Sequence, residues 1–199
     1  EINEIGDFSG LKIRMPGLGG EVLRSLGATV QLLPGGEIFQ ALKTGVIDAT
    51  EWVGPYNDLA FGFQQAARYY YWPGWHEPGT TIEAMINREA FEDLPAHLQA
   101  VVERACQAAN EQMLAEFTAR NSAALHTLVT KHKVQLRRFP DPVLKGLGAK
   151  AAAVVEDISS SDPFSKQVYD SFAKFRKDSS GYTRITEQAY SHARALTFG

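Results

Sequence analysis

The chain has 199 residues, 44% hydrophobic and 22% charged, the composition of an ordinary globular protein long enough for one sizeable core or two small ones. Its formal net charge of −3 supplies neither the basic footprint of a nucleic-acid binder nor the cationic face that holds an anionic membrane. No apolar run approaches the roughly 20 residues that span a bilayer, and the single cysteine, Cys106, excludes an internal disulfide and a cysteine-based zinc cluster.

The chain opens at Glu1 without an initiator methionine or a basic and apolar leader, so a removed signal peptide or a longer parent protein is expected, the latter being favoured here. Leu11 to Met15 is predicted as a strand after the turn pair Ser9-Gly10. Glu21 to Leu26 reads as a short helix closed by Gly27 in the left-handed conformation, and Thr29 to Leu33 as the next strand. Glu37 to Lys43 carries Ile38, Ala41 and Leu42 at helical spacing and ends at Gly45; Val46 to Thr50 is a third strand. This βαβαβ rhythm predicts an α/β fold with a parallel sheet. Ligands of such sheets settle at the carboxyl ends of the strands. Those ends are Arg14-Met15, Leu33-Pro34 and Glu51-Trp52, with a helix start at Gly19-Gly20-Glu21 beside the first.

A helix is predicted from about Asn57 to Arg68, followed by the aromatic segment Tyr69-Tyr70-Tyr71-Trp72. Pro73-Gly74 and Pro78-Gly79 make Trp75-His76-Glu77 a stiff loop, and Thr80 to Asn87 reads as a strand. A long helix begins near Pro95 and keeps an apolar stripe from Leu98 to Val129, about 50 Å of helix, so it bridges two lobes or projects into a partner. Cys106, among alanines on that helix, reads as a small core residue. Val134 to Phe139 is predicted as a strand, followed by helices at about Pro142–Ile158, Pro163–Lys177 and Thr183–Leu196. No nucleophile motif precedes a helix, no His-x-x-x-His pair exists, and Gly17-Leu18-Gly19-Gly20 lacks dinucleotide-binding spacing, so no catalytic residue is assigned.

Taken from the residues alone, Arg14 fits a structural ion pair as well as an anion receptor. Glu51 alone fits a solvated strand end better than a metal ligand; with Glu77 on its stiffened loop, two carboxylates can meet around one hard cation such as Ca2+ or Na+. Trp52, Trp75, Tyr71 and Phe39 are either ordinary core or a cap over a ligand, with Trp52 the favoured contact and Phe39 and Tyr71 left to the core or behind the site. Asn57 fits either a turn or a contact to a ligand oxygen, with the turn favoured.

Lys12-Ile13-Arg14, the Pro34…Glu37…Ala41-Leu42…Gly45…Asp48 pattern, Glu51-Trp52-Val53-Gly54-Pro55-Tyr56-Asn57-Asp58 and Tyr71-Trp72-Pro73-Gly74-Trp75-His76-Glu77-Pro78 together resemble the solute-binding proteins of tripartite ATP-independent periplasmic (TRAP) transporters, in their α-keto-acid-binding branch. The resemblance runs from about Gly10 to Ala195 and matches only the C-terminal portion of the family. It implies a periplasmic-binding-protein-like type II fold, with two α/β lobes joined by crossing strands and a long helix and most of the N-terminal lobe missing from this sequence. The implied divisions are an α/β lobe with the anion site over 1–52, a crossing segment and part of the other lobe over 53–92, a lobe-spanning helix over 93–131, and a C-terminal strand and helices over 132–199.

The same resemblance implies a periplasmic receptor, not an enzyme, that closes on a small monocarboxylate such as the 2-oxo acid pyruvate together with Na+ or Ca2+. It would then deliver the ligand to TRAP membrane subunits driven by a sodium gradient. Substrate binding falls to Arg14, Glu51, Trp52 and Glu77, and cation binding to Glu51, the Trp52 carbonyl and Glu77. Two alternatives stay open: a calcium-dependent receptor for lactate or another hydroxy acid, and a metal-dependent enzyme using Glu51, Glu77 and His76. Phe164, Tyr169, Phe172, Phe175 and Tyr182 on the C-terminal helices suit either a homodimer or packing within the chain.

Overall fold

The apolar stripes at the front of the chain are answered by a small parallel sheet, in a computed structural model that describes residues 1–77, 79 and 82–198. Strand β1 (Lys12–Arg14) lies between β2 (Thr29–Gln31) and β3 (Ala49–Thr50), with Arg14 opposite Gln31 on one side and Thr50 on the other. Helix α1 (Gly17–Ser25) links β1 to β2 and buries Val22 and Leu23; α2 (Gly35–Thr44) links β2 to β3 and buries Ile38, Ala41 and Leu42. Those three share a face because i, i+3 and i+4 stand on one side of a helix. With Ile47 and Phe63 they form a core against which Leu33, Phe39 and Trp52 pack. Full burial of Leu23, Ile38 and Ile47 contributes about 1.5–3 kcal/mol each. Gly27 and Gly45 take the left-handed conformation expected of them (φ 87° and 74°).

Helix α3 spans only Pro55–Ala60, because Gly62 turns left-handed (φ 77°) and a 3-10 turn at Phe63–Gln65 follows. The single helix expected over 57–68 is therefore two short pieces. Tyr69–Trp72 forms strand β4, paired in parallel with β5 (Gln135–Arg138), where only an aromatic segment was expected. Residues 82–87 carry no strand, and Thr80 and Thr81 lie outside the described residues. A short helix α4 (Arg88–Glu92), capped by the Asn87 side chain, precedes the long helix α5 (Ala96–Thr130).

Of the 35 residues of α5, Ala124 and Leu128 are buried, both near its C-terminal end. Leu98, Val101, Met113 and Leu114 on its earlier turns are exposed, and so is Cys106, which corrects its reading as core. The last third of α5 grips α3: Tyr56 N–H donates to Asn121 Oδ1 at 2.9 Å, and the Tyr56 ring meets Phe117 edge-on and lies under Arg120.

The chain separates into two compact units, residues 1–150 and 151–199, with the division inside α6 (Asp141–Ser159). In the second unit α7 runs unbroken through Gly181 from Pro163 to Ile185, and α8 covers Glu187–Phe198. The break expected between Lys177 and Thr183 is absent: Asp178-Ser179-Ser180-Gly181 weakens a helix without ending it. Asp162 opens α7, accepting from Phe164 N at 2.8 Å and Ser165 N at 3.0 Å, with Pro163 at the first helical position. Among the described residues no apolar side chain of this unit is buried; Phe164, Phe175, Tyr182 and Ile185 are each more than two-thirds exposed. No helix is long and apolar enough to cross a membrane among the described residues.

Candidate ligand and cation site

Arg14 stands at the carboxyl end of β1, the central strand of the sheet, where only 8% of it is exposed. A buried guanidinium requires partners on every donor face. Its Nη1 donates to Glu51 Oε1 at 2.6 Å and to the Glu51 carbonyl at 3.3 Å, and its Nε donates to the Leu33 carbonyl at 3.3 Å. These contacts reach the ends of β2 and β3, so all three strand ends picked out in the sequence meet at one cation. The Trp52 ring lies beneath the guanidinium at 5.0 Å and against Phe61, and its Nε1 is buried without a partner among the described residues.

The other oxygen of Glu51 faces His76, whose Nε2 stands 3.6 Å from Glu51 Oε2 and 3.9 Å from Glu77 Oε2. Glu51 and His76 are largely buried, whereas half of the Glu77 side chain is exposed. One donor atom from each of Glu51, His76 and Glu77 lies within 4.8 Å of the others, the spacing of a set able to enclose an ion. Charge supports that use. Two carboxylates against one guanidinium leave a formal −1, so an incoming anion is repelled unless a cation sits beside it.

Two glycines make room for these rings. A Cβ at Gly19, in the first turn of α1, would lie 2.9 Å from His76 Cδ2; one at Gly35, which opens α2, would lie 2.6 Å from the Trp52 ring. Trp75 packs on His76 at 5.0 Å. Tyr71 stands elsewhere: it stacks on Phe139 and its hydroxyl accepts from Ile2 N at 2.7 Å. Phe39 packs on the α2 core. Asn57 Oδ1 is buried and unpartnered, so its side chain secures no turn among the described residues.

On α3, Asp58 is only 8% exposed and takes the Tyr70 hydroxyl on Oδ2 at 2.5 Å. Burial pushes the Asp58 carboxyl up to about 6, against the opposing pull of the Tyr70 hydroxyl and of backbone amides at Gly54 and Val53. Burial and the neighbouring Asp58 charge raise the Tyr70 hydroxyl in turn. The receptor reading of the sequence left His76 out of the cation set and grouped it with Glu51 and Glu77 only in the enzyme alternative, although its place next to Glu77 was a usable signal. Nothing local distinguished Gly19, Gly35 or the Asp58–Tyr70 pair.

Residues 1–162 match the bacterial extracellular solute-binding protein family 7, DctP. The chain belongs to this family. It is 40% identical over 192 residues to the monocarboxylate 2-oxoacid-binding periplasmic protein of Nostoc sp., covering 96% of this chain and 52% of that protein. A TRAP transporter solute-binding protein of Bordetella bronchiseptica, 38% identical, superposes with a TM-score of 0.93 over 98% of this chain and 58% of its own length; it is described as a mixed-occupancy dimer with calcium and picolinate bound in one site. Another, of Pseudoalteromonas atlantica, is 35% identical with a TM-score of 0.90 over 96% of this chain and 58% of its own, and has sodium and pyruvate bound. The resemblance to TRAP solute-binding proteins and the mixed α/β fold are borne out. The chain spans little more than half the length of each of these relatives.

Proposed function

We propose that this chain is the larger part of a periplasmic TRAP receptor that captures a small monocarboxylate, a 2-oxo acid such as pyruvate, together with Ca2+ or Na+. The observation that carries the reading is the meeting of Arg14, Trp52 and the Glu51–His76–Glu77 donor set at the strand ends. In this reading the planar fork of Arg14 pairs with the ligand carboxylate, which a lysine could not match bidentately. The Trp52 face bounds the short alkyl group. Glu51, Glu77 and the Trp52 carbonyl hold the cation, a hard oxygen set suited to Ca2+ or Na+. The cation offsets the excess negative charge and gives the keto oxygen a partner.

The receptor function, with TRAP membrane subunits as the destination of the ligand, draws support from relatives at 35–40% identity that carry a carboxylate with a cation or are named for 2-oxo acids. No nucleophile is paired with a base among the site residues described, so binding without turnover is the proposed role. The exposed aromatics of α7 suit burial against a second copy, and the dimeric Bordetella relative supports that arrangement.

Titration calorimetry of the purified chain with pyruvate, with and without Ca2+ and Na+, tests the reading. Cation-dependent binding that Arg14→Ala abolishes, with unchanged circular dichroism, is expected. Retained affinity in Arg14→Ala would remove Arg14 from its role, and tighter binding of lactate than pyruvate would move the receptor to hydroxy acids.

A further inference from the structure

His76 leaves more of its bonding capacity unused than any other side chain described at this site. Its side chain is 16% exposed, and both ring nitrogens are buried without a hydrogen-bond partner among the described residues. A neutral imidazole has one N–H to donate and one lone pair to give, and burying both unused is costly. Nε2 is the nitrogen facing the carboxylates, at 3.6 Å from Glu51 and 3.9 Å from Glu77. Both gaps are too long for a hydrogen bond. They are close to what an ion between the groups requires, since two ligands about 2.1 Å from one metal at a tetrahedral angle stand roughly 3.4 Å apart. Glu51 is already divided for such use, with Oε1 on Arg14 and Oε2 toward His76. The imidazole is backed by the first turn of α1, where Gly19 leaves it just enough room.

We propose that His76 Nε2 joins Glu51, Glu77 and the Trp52 carbonyl as a fourth protein ligand to the ion, and that it sets which ion the site prefers. Carboxylate and carbonyl oxygens alone suit Ca2+ and Na+. Adding one imidazole turns the set toward borderline divalent ions, because nitrogen donors favour Zn2+ and Co2+ over the alkaline-earth ions. The inference rests on the cation-assisted reading above and deepens it: the site discriminates among cations through a residue outside the oxygen set.

The test is a competition titration of the chelator-stripped chain with Zn2+, Co2+ and Ca2+, alongside Co2+ visible absorption and the 15N resonances of the His76 ring. Wild-type protein is expected to bind Zn2+ and Co2+ more tightly than Ca2+, to give an intensified Co2+ band, and to shift the His76 Nε2 resonance on Zn2+ addition. His76→Gln is expected to weaken Zn2+ and Co2+ binding by roughly 10–100-fold more than it weakens Ca2+ binding. His76→Asn serves as the second variant should His76→Gln fail to fold. Equal losses for Zn2+ and Ca2+, or an unmoved Nε2 resonance, would overturn the assignment. If pyruvate still binds with Ca2+ in that event, only the role of His76 falls. If neither cation nor pyruvate binds the wild-type chain, the receptor reading falls with it.

Discussion

The sheet unit around β1 and the helical hairpin of α7 and α8 solve the same problem in opposite ways. In the first, Leu23, Ile38 and Ile47 are essentially sealed from water; Arg14 is enclosed and paired with Glu51, and Asp58 is enclosed with the Tyr70 hydroxyl on one of its oxygens. In the second, Phe164, Phe175, Tyr182 and Ile185 stand in solvent, and no apolar side chain is buried among the described residues. The first region supplies its own hydrophobic stabilisation, whereas the second has an apolar supply without a cover within its own unit. Stability and association should therefore respond to mutation in different places.

The largest separation is expected from Ile38→Ala. Removing three carbons from a fully buried site costs about 2–5 kcal/mol, read as a fall in the urea midpoint at constant slope. Asp58→Asn probes the enclosed charge. Because the folded carboxyl titrates near 6, above its unfolded value, its stabilising contribution is complete below about pH 4 and is lost as pH rises through 6. Denaturation at pH 4.5 and 7.5 should show wild-type losing about 2 kcal/mol more than Asp58→Asn over that interval; parallel curves would mean that Asp58 stays ionised throughout. The smallest effect on unfolding is expected from Phe164→Ser with Phe175→Ser, below about 0.5 kcal/mol in the monomer. The same pair should weaken self-association in sedimentation experiments, and a large loss of monomer stability would show that these rings are already covered within the chain.

The contrast also separates what could be read from the sequence from what could not. Local signals sufficed for β1 to β3, because short apolar runs, helical spacing at Ile38-Ala41-Leu42 and glycines at 27 and 45 all act within a few residues. They placed Arg14, Glu51 and Trp52 at adjoining strand ends without any knowledge of contacts. Strand β4 was not legible, since the run Tyr69-Tyr70-Tyr71-Trp72 has no apolar-polar alternation and its partner β5 lies more than 60 residues later. The stop at Gly62 was masked by apolar residues on either side that continue a helical pattern. The stripe on α5 was legible as periodicity, but periodicity does not say what covers it, and only the turns near Ala124 and Leu128 are buried. His76 was visible beside Glu77 but entered only the metal-dependent-enzyme alternative; its two unsatisfied nitrogens are a matter of packing that only coordinates reveal.

Gly19 and Gly35 carry a consequence for how such a site tolerates drift. Each admits an aromatic ring by having nothing where other residues have a carbon: a Cβ there would stand only 2.9 Å and 2.6 Å from the His76 and Trp52 rings respectively. A single methyl at either position would act as a wedge, displacing His76 or Trp52 while leaving every charged and aromatic group chemically intact. The dimensions of the recess are thus set partly by two residues with no functional group, and a search for reactive side chains would pass over both.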